Sequence, residues 1–285
     1  MEKQSIKVVI KTIYRDLSKK EATIADYILN NPKLVSRMTI NEISSNLGLA
    51  DSTIFQFTRK LGYKGFREFR NDLLTEEFDP EISVHENIKK DDNSLSMAQK
   101  VFDSSIQSLQ DTKNLLSNEK LQIAANMITK ATKVSFFGVG GSNVVAYDAY
   151  HKFLRSPIRC QHGIDFHIQL MQASLLDEND CAIITTHTGL TKETLKIAKT
   201  VKKNKAGLIV ITSYPLSDMA KIADIVFVSV SEETGYRSES LSSRISQLAI
   251  IDSLFTIIMF KLENKAVDSL HKIRSVINTT KVEPH

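Results

Sequence analysis

Ile6, Val9, Ile10, Ile13 and Leu17 fall on one helical face, so the chain opens with an amphipathic helix. Ser18-Lys19-Lys20-Glu21 has the form of a capping box, in which a serine and a glutamate satisfy each other's backbone donors. Ile24, Tyr27 and Ile28 make the buried stripe behind it, and Asn30-Asn31-Pro32 stops that helix. A second capping box, Thr39-Ile40-Asn41-Glu42, starts a short helix with Ile43 and Leu47 inward. Gly48 ends it. Leu49-Ala50-Asp51 then turns the chain into another helix, with Ile54, Phe57 and Leu61 inward and Gly62 at its close. Two short helices joined by a tight turn containing glycine outline a helix-turn-helix.

From Glu76 to Ser94 the chain is polar, charged and broken by Pro80, which reads as an exposed linker. Helical periodicity returns from Ser96 with Val101, Ile106, Leu109 and Leu115-Leu116, then Leu121, Ala124, Ala125 and Ile128. Beyond Thr132 the pattern changes. Val134–Phe137, Ile158–Cys160, Cys181–Thr185, Leu208–Thr212 and Ile225–Val230 read as strands. Helical stretches follow them, the last from about Ser240 to Leu262. Alternation of this kind implies a mainly parallel five-stranded sheet between two helical layers, an αβα sandwich. The expected fold is multidomain: an all-α head over 1–79, a linker over 80–95 and an α/β domain over 96–285.

Composition changes this picture little, but its distribution matters. The 285 residues are 42% hydrophobic and 25% charged, as in a soluble globular protein. Thirteen basic against seven acidic residues give Met1–Asn71 a net +6, which leaves −2 for the rest of the +4 chain. A basic head on a near-neutral body suggests nucleic acid at the amino end. Cys160 and Cys181 have no motif spacing, which fits a reducing cytosol. Met1–Leu17 lacks the continuous apolar core of a signal peptide. Ile245–Phe260 is too short to span a bilayer and is expected to be a buried helix. These features point to a cytoplasmic protein with no membrane partner.

In a helix-turn-helix the second helix enters the major groove with its amino-terminal residues at the base edges. Ser52, Thr53 and Gln56 are the outward residues there, Gln56 being suited to adenine. Arg59, Lys60 and Lys64 are placed for phosphates. The alternative is a small helical domain with a solvated polar face. In the body, Thr186-His187-Thr188-Gly189-Leu190-Thr191 separates a strand from a helix, where backbone N–H groups and the helix dipole favour a phosphate. The plainer reading is an ordinary turn capped by Thr191. Gly138-Val139-Gly140-Gly141-Ser142 follows the first strand, but Asn143 occupies the third glycine's place in a dinucleotide fingerprint, and no phosphate-loop lysine is present. Gly141 and Ser142 are therefore assigned to the same crevice as the threonine loop. His162 and His167 lack metal-ligand spacing, and neither a metal nor another cofactor is expected.

TINEISSNLGLADSTIFQFTRKLGYKGFREFRNDL resembles the amino-terminal helix-turn-helix of the RpiR/MurR family of bacterial transcriptional regulators, and LGYKGF is its most specific part. Ala50 stands where the family has a serine cap, so Asp51 is expected to cap the recognition helix. Gln56 replaces a usual arginine. The body resembles the SIS (sugar isomerase) domain, with Thr186, Thr188 and Thr191 at the hydroxyl positions of its S-x-S-G-x-T loop and Asp165-Phe166-His167-Ile168-Gln169 as D-x-H-x-Q. The resemblance implies a regulator, not an enzyme, that binds double-stranded operator DNA and a phosphorylated sugar, as a homodimer or homotetramer. It implies effector contacts from Gly141, Ser142, Thr186, Thr188, Gly189, Thr191, His167 and Glu239. His167 has an alternative as a partly buried polar contact, and Glu239 as an exposed residue at a helix start. The competing function is a sugar-phosphate or amino-sugar-phosphate isomerase with an appended helical head.

Overall fold

The computed structural model describes residues 6–75, 92–230 and 240–280. The chain divides into two compact units, Met1–Ser104 and Ser105–His285. In the first, α1 (Ile6–Ile13) and a 3-10 turn (Tyr14–Asp16) precede α2 (Lys19–Asn30), α3 (Pro32–Val35), α4 (Ile40–Leu47), α5 (Asp51–Lys60) and α6 (Phe66–Thr75). Ile10, Ile24, Ile28, Ile43, Ile54, Phe57 and Phe69 meet in one core. Both capping boxes close. Ser18 donates its N–H to the Glu21 carboxylate at 2.7 Å, and Thr39 donates its own to Glu42 at 2.6 Å. Pro32 both follows the end of α2 and opens α3, where its missing N–H costs nothing. Gly48, at φ 63°, ends α4 in the left-handed conformation.

The start of α5 departs from expectation. Ala50 holds the N-cap position with extended backbone and no side-chain cap, and Asp51 is already the first helical residue. From there its carboxylate turns back and accepts the Ser44 hydroxyl. Asp51 thus ties α5 to α4 across the turn instead of capping its own helix.

Helix α7 (Ser94–Asn114) begins inside the stretch expected as linker, and the division between the units falls within it. Its apolar pattern is inverted from expectation. Val101 and Ile106 are exposed, whereas Ser104, Ser108, Asp111 and Thr112 are buried. On that buried side the Thr112 hydroxyl accepts the Val230 N–H at 2.9 Å and Gln107 donates to Asp111 at 2.6 Å, whereas the Ser104 and Ser108 hydroxyls find no hydrogen-bond partner among the described residues.

The second unit continues with α8 (Asn118–Lys130), β1 (Val134–Phe137), α9 (Gly141–Phe153), β2 (Cys160–His162), α10 (Phe166–Ser174) and β3 (Cys181–Thr185). Then come α11 (Lys192–Lys203), β4 (Gly207–Thr212), α12 (Asp218–Ile222), β5 (Ile225–Val228), α13 (Ser240–Leu262) and α14 (Asn264–Asn278). All strand pairs are parallel, in the order β2-β1-β3-β4-β5. Alternate residues serve opposite layers. Phe136, Ile183, Ile209 and Ile211 pack with residues of α8, α9 and α13, while Phe137, Ile184, Leu208 and Val210 pack with α10, α11 and α12. The edge strand β2 lies two residues later than its apolar signal, because its pairing with β1 starts at Cys160, opposite Val134 at the beginning of that strand.

Helix α13 corrects another expectation. Ser243–Leu262 is long and apolar enough to cross a membrane, so length does not exclude a span. What places this helix is packing: Ile250, Ile251, Leu254 and Ile258 lie in the sheet-facing core. Nor is it buried all round, since Ile245 and Phe260 are exposed.

The caps of the head are testable. Thr39→Ala should destabilise the head by about 1 kcal/mol in urea denaturation at neutral pH. Hydrogen bonds from the Thr39 backbone and hydroxyl hold the Glu42 carboxyl below its ordinary pKa. A lowered folded value means that the contribution is complete above the ordinary glutamate range and is lost as pH falls through the lowered value. The difference between Thr39→Ala and the unaltered chain should therefore narrow in acid. A gap that is constant with pH would contradict the reciprocal box.

Candidate functional site

In the head, α5 turns Ile54, Phe57 and Thr58 inward and leaves Ser52, Gln56, Arg59 and Lys60 exposed, with Thr53 half-buried. The turn that follows is shaped by its glycines and aromatics. Gly62 adopts φ 97°, Tyr63 donates its N–H to the Thr58 carbonyl at 3.1 Å, and its ring meets Phe69 edge-on at 5.4 Å. Gly65 lies against the Phe55 ring, where a Cβ would come within 3.1 Å. Arg59 donates to the Lys64 carbonyl at 3.4 Å, and the Lys64 N–H donates to Glu68 at 2.6 Å. Arg59 and Lys64 thus share one end of the recognition helix. Lys60 is engaged elsewhere: its ammonium donates to both Glu21 carboxylate oxygens at 3.2 Å and to the Asp16 carbonyl at 3.0 Å.

In the body, β1 lies between β2 and β3, which is where a doubly wound sheet of this order reverses and where ligands bind. Two helices begin near that point. Helix α9 has Gly140 at its N-cap, with φ 59° and no side chain to offer. Thr191 stands at the N-cap of α11, but its hydroxyl makes no cap bond, so the plain capped-turn reading is not what the loop does. Both helix starts keep first-turn N–H groups without side-chain caps, at the positive ends of their dipoles. Gly141 and half-buried Ser142 form the first turn of α9.

The loops are held from below. The Thr185 hydroxyl donates to the Ser142 carbonyl at 2.9 Å, which fixes the start of α9 to the end of β3. Gly138 permits this approach, since a Cβ there would lie 2.6 Å from the Ser142 oxygen. Thr186 is buried, its hydroxyl accepts the Gly189 N–H at 3.2 Å, and Gln247 of α13 donates to its carbonyl at 3.1 Å. The Thr188 hydroxyl accepts the Leu190 N–H at 3.2 Å. Gly189, at φ 66°, leaves no room for a Cβ beside the Ser217 hydroxyl. The Thr212 hydroxyl donates to the His187 carbonyl at 2.9 Å, and His187 Nδ1 lies 3.0 Å from Ser213 Oγ.

Gln169 is the main tie between the β1 and β2 loops. It is buried, its oxygen accepts the Gly138 N–H at 3.0 Å, and its nitrogen donates to the Gly138 and Gly163 carbonyls at 2.8 and 3.0 Å. The same nitrogen reaches the Asn143 amide oxygen at 3.1 Å, and Asn143 in turn donates to the Ile164 carbonyl at 3.1 Å. The cysteines offer no nucleophile near neutral pH. Burial first, then Asp224 and Asp180, push the Cys181 thiol up to about 12, and burial pushes Cys160 up to about 11.

Residues 5–79 match the model of the helix-turn-helix domain of the rpiR family, and residues 127–257 match that of the SIS domain. An uncharacterized HTH-type transcriptional regulator of Caldanaerobacter subterraneus is 34% identical, over 96% of this chain and 97% of its own length. The HTH-type transcriptional regulator RpiR of Escherichia coli K12 is 30% identical, over 84% of this chain and 81% of its own. The chain belongs to the RpiR family of transcriptional regulators. The fold is shared with the Vibrio vulnificus NanR protein complexed with ManNAc-6P, at 22% identity and a TM-score of 0.62, over 98% of this chain and 100% of that one. It is also shared, over 60% of this chain and 93% of the other, with a putative sugar-phosphate isomerase from Listeria monocytogenes, at 19% identity and a TM-score of 0.53.

Within this RpiR-family chain, Gly141 and Ser142 start the helix after β1, and Thr186, Thr188, Gly189 and Thr191 form the loop after the adjacent β3. His167 is exposed in the first turn of α10, with its ring 5.4 Å from that of Phe166, and so is not the partly buried contact considered from the sequence. Glu239 lies outside the described residues. The D-x-H-x-Q motif instead resolves into separate roles: Asp165 caps α10 by accepting the Ile168 N–H at 3.0 Å, and Gln169 clamps the loops. Sequence reasoning quoted Gln169 without giving it a role, and it did not single out Gln247 or Ser217 as supports. A polar residue inside an otherwise apolar helix was the available signal.

Gln169→Leu removes partners from the buried Gly138 N–H and from two carbonyls, each orphan costing about 1–3 kcal/mol. Urea unfolding of the body should show a loss of at least about 2 kcal/mol. A change near zero would mean that water replaces the clamp and that the loops do not depend on it.

Proposed function

We propose that the body of this regulator binds a phosphorylated sugar and that binding alters the hold of the head on an operator. The observation that supports this reading best is the pair of uncapped helix amino ends, of α9 and α11, beside adjacent strands at the reversal point of the sheet. Such ends favour an anion without any fixed cation. Ser142, Thr188 and Thr191 add hydroxyl donors, Gly141 and Gly189 let backbone come close, and Thr186 shapes the loop from within. His167 and Glu239 are assigned to the sugar.

In the head, Ser52, Thr53 and Gln56 read base edges, and Arg59 and Lys64 hold phosphates of double-stranded DNA. Two heads in a homodimer or homotetramer would meet half-sites about 34 Å apart or a multiple of that. The effector acts by binding one arrangement of the assembly more tightly, with a coupling of roughly 1–3 kcal/mol. The genes controlled are those of sugar metabolism, and the site of action is the cytoplasm. An isomerase would need a base beside the substrate carbon. The relatives that share both halves of the chain are named as regulators, and a basic helix-turn-helix gives an isomerase no advantage.

A panel of sugar phosphates and their unphosphorylated parents tests the sensor by thermal melting. A true effector at 100 times its dissociation constant should stabilise the protein by about 2.7 kcal/mol, its parent should not, and Thr191→Val should weaken the shift. If no phosphate shifts the melt, or parent and phosphate act alike, the phosphate-cradle reading fails. For the head, Arg59→Ala should weaken binding to all duplexes nearly uniformly and lower the salt slope by about 0.9. A loss confined to one sequence would instead make Arg59 a base reader.

A further inference from the structure

Lys60 is the last residue of the recognition helix, and charge alone would group it with Arg59 and Lys64 as a phosphate contact. Its geometry is different. The ammonium is shared among three acceptors: both oxygens of Glu21 at 3.2 Å and the Asp16 carbonyl at 3.0 Å. Glu21 is itself committed, because its carboxylate also accepts the Ser18 N–H at 2.7 Å in the capping box of α2. Asp16 ends the 3-10 turn after α1. One ammonium therefore joins the carboxyl end of α5 to the place where the α1 segment stops and α2 starts.

We infer that Lys60 is a positioning residue for DNA binding: it sets the angle at which α5 presents Ser52, Thr53 and Gln56, and it does not contact phosphate. Two features make this more than a surface ion pair. The link spans 39 residues of sequence and fixes one helix against another, so a small rotation at Lys60 is carried along α5 to its amino end. A phosphate would also have to compete with a carboxylate and a carbonyl already satisfying the same three donors. The Glu21 carboxyl reports the same commitment. Burial works to raise it, but the bonds from Ser18 and the Lys60 ammonium outweigh burial and hold it below the ordinary glutamate range.

The inference rests on the DNA-binding reading of the head, and the test separates the two. A duplex is first selected from a random library with the unaltered full-length chain, and its affinity is measured against salt. Lys60→Met, Glu21→Gln and the double variant follow on the same duplex. Glutamine at position 21 keeps an acceptor for the Ser18 N–H, so the cap survives and only the ion pair is lost. A positioning role predicts that each single variant loses about 3–5-fold in affinity, the scale of a good exposed pair, and that the double loses no more than the worse single. The salt slope should stay that of the unaltered chain, and Lys60→Arg, which can keep the link to Glu21, should restore most of the affinity.

A slope lower by about 0.9 in Lys60→Met, with Glu21→Gln binding unchanged or tighter, would make Lys60 a phosphate contact and overturn the inference. So would additive losses. Thermal melts of the same four proteins without DNA read the Lys60–Glu21 coupling independently. If the unaltered chain enriches no duplex, the DNA reading fails, and the melts still decide whether the clamp exists: non-additive melts support it and additive ones overturn it.

Discussion

Every residue of β3 is buried, and most of the body follows from that. A strand covered on both faces needs apolar side chains in both directions, and Cys181–Thr185 supplies Cys181 and Ile183 to one layer and Ala182 and Ile184 to the other. Its two neighbours, β1 and β4, must be parallel and equally apolar for the layers to close. Burial also dictates the carboxyl end of the strand. Where polar groups emerge under a helical layer, each has to find a partner. Thr185 bonds to Ser142, Thr186 bonds within its loop and to Gln247, and Ser213 meets Ser229 at 3.2 Å. The candidate site sits on top of this hydrogen-bonded layer.

The fold was largely legible because its signals are local. Alternation of apolar runs with helical periodicity gave the five strands, and both capping boxes gave helix starts that the structure reproduces at Ser18 and Thr39. Misreadings occurred where tertiary contacts outweigh local pattern. Helix α7 buries Ser104, Ser108 and Thr112 and exposes Phe102 and Ile106, which no rule of periodicity anticipates. The start of α5 is similar, because the pull of the Ser44 hydroxyl on Asp51 comes from another helix. Strand β2 slid past its apolar signal because register is set by pairing with β1, whose Val134 lies opposite Cys160.

The site was legible in position and less so in detail. Hydroxyls and glycines between a strand and a helix locate it, but spacing cannot tell which hydroxyls build the loop and which face a ligand. Thr186 looked like the first phosphate donor, yet it is buried and accepts the N–H of Gly189. Asp165 and Gln169 read as parts of one D-x-H-x-Q motif with no role of their own, yet one caps a helix and the other stitches two loops. These roles depend on which backbone groups come within reach, which is a property of the folded chain. In the head, Arg59 and its neighbour Lys60, which the sequence presents as equivalent charges, have different partners: the Lys64 carbonyl for one, Glu21 and the Asp16 carbonyl for the other.

The division of labour among the hydroxyls has a consequence for recognition. A threonine that accepts a loop N–H still has its own proton to donate, but Thr186, only 3% exposed, lies deeper than the other two threonines of the loop. Thr188 is half-buried, and Thr191 is exposed and makes no cap bond. An anion at this place would be held mainly by the first-turn N–H groups of α9 and α11, with Ser142, Thr188 and Thr191 at its edge. Such a cradle would act through helix dipoles and hydroxyls. Its attraction falls off within a helical turn, so it discriminates by close fit more than by long-range charge. For the regulation proposed above, what counts is not how tightly such a ligand is held but the difference in its affinity for the two states, since it shifts an equilibrium by no more than that.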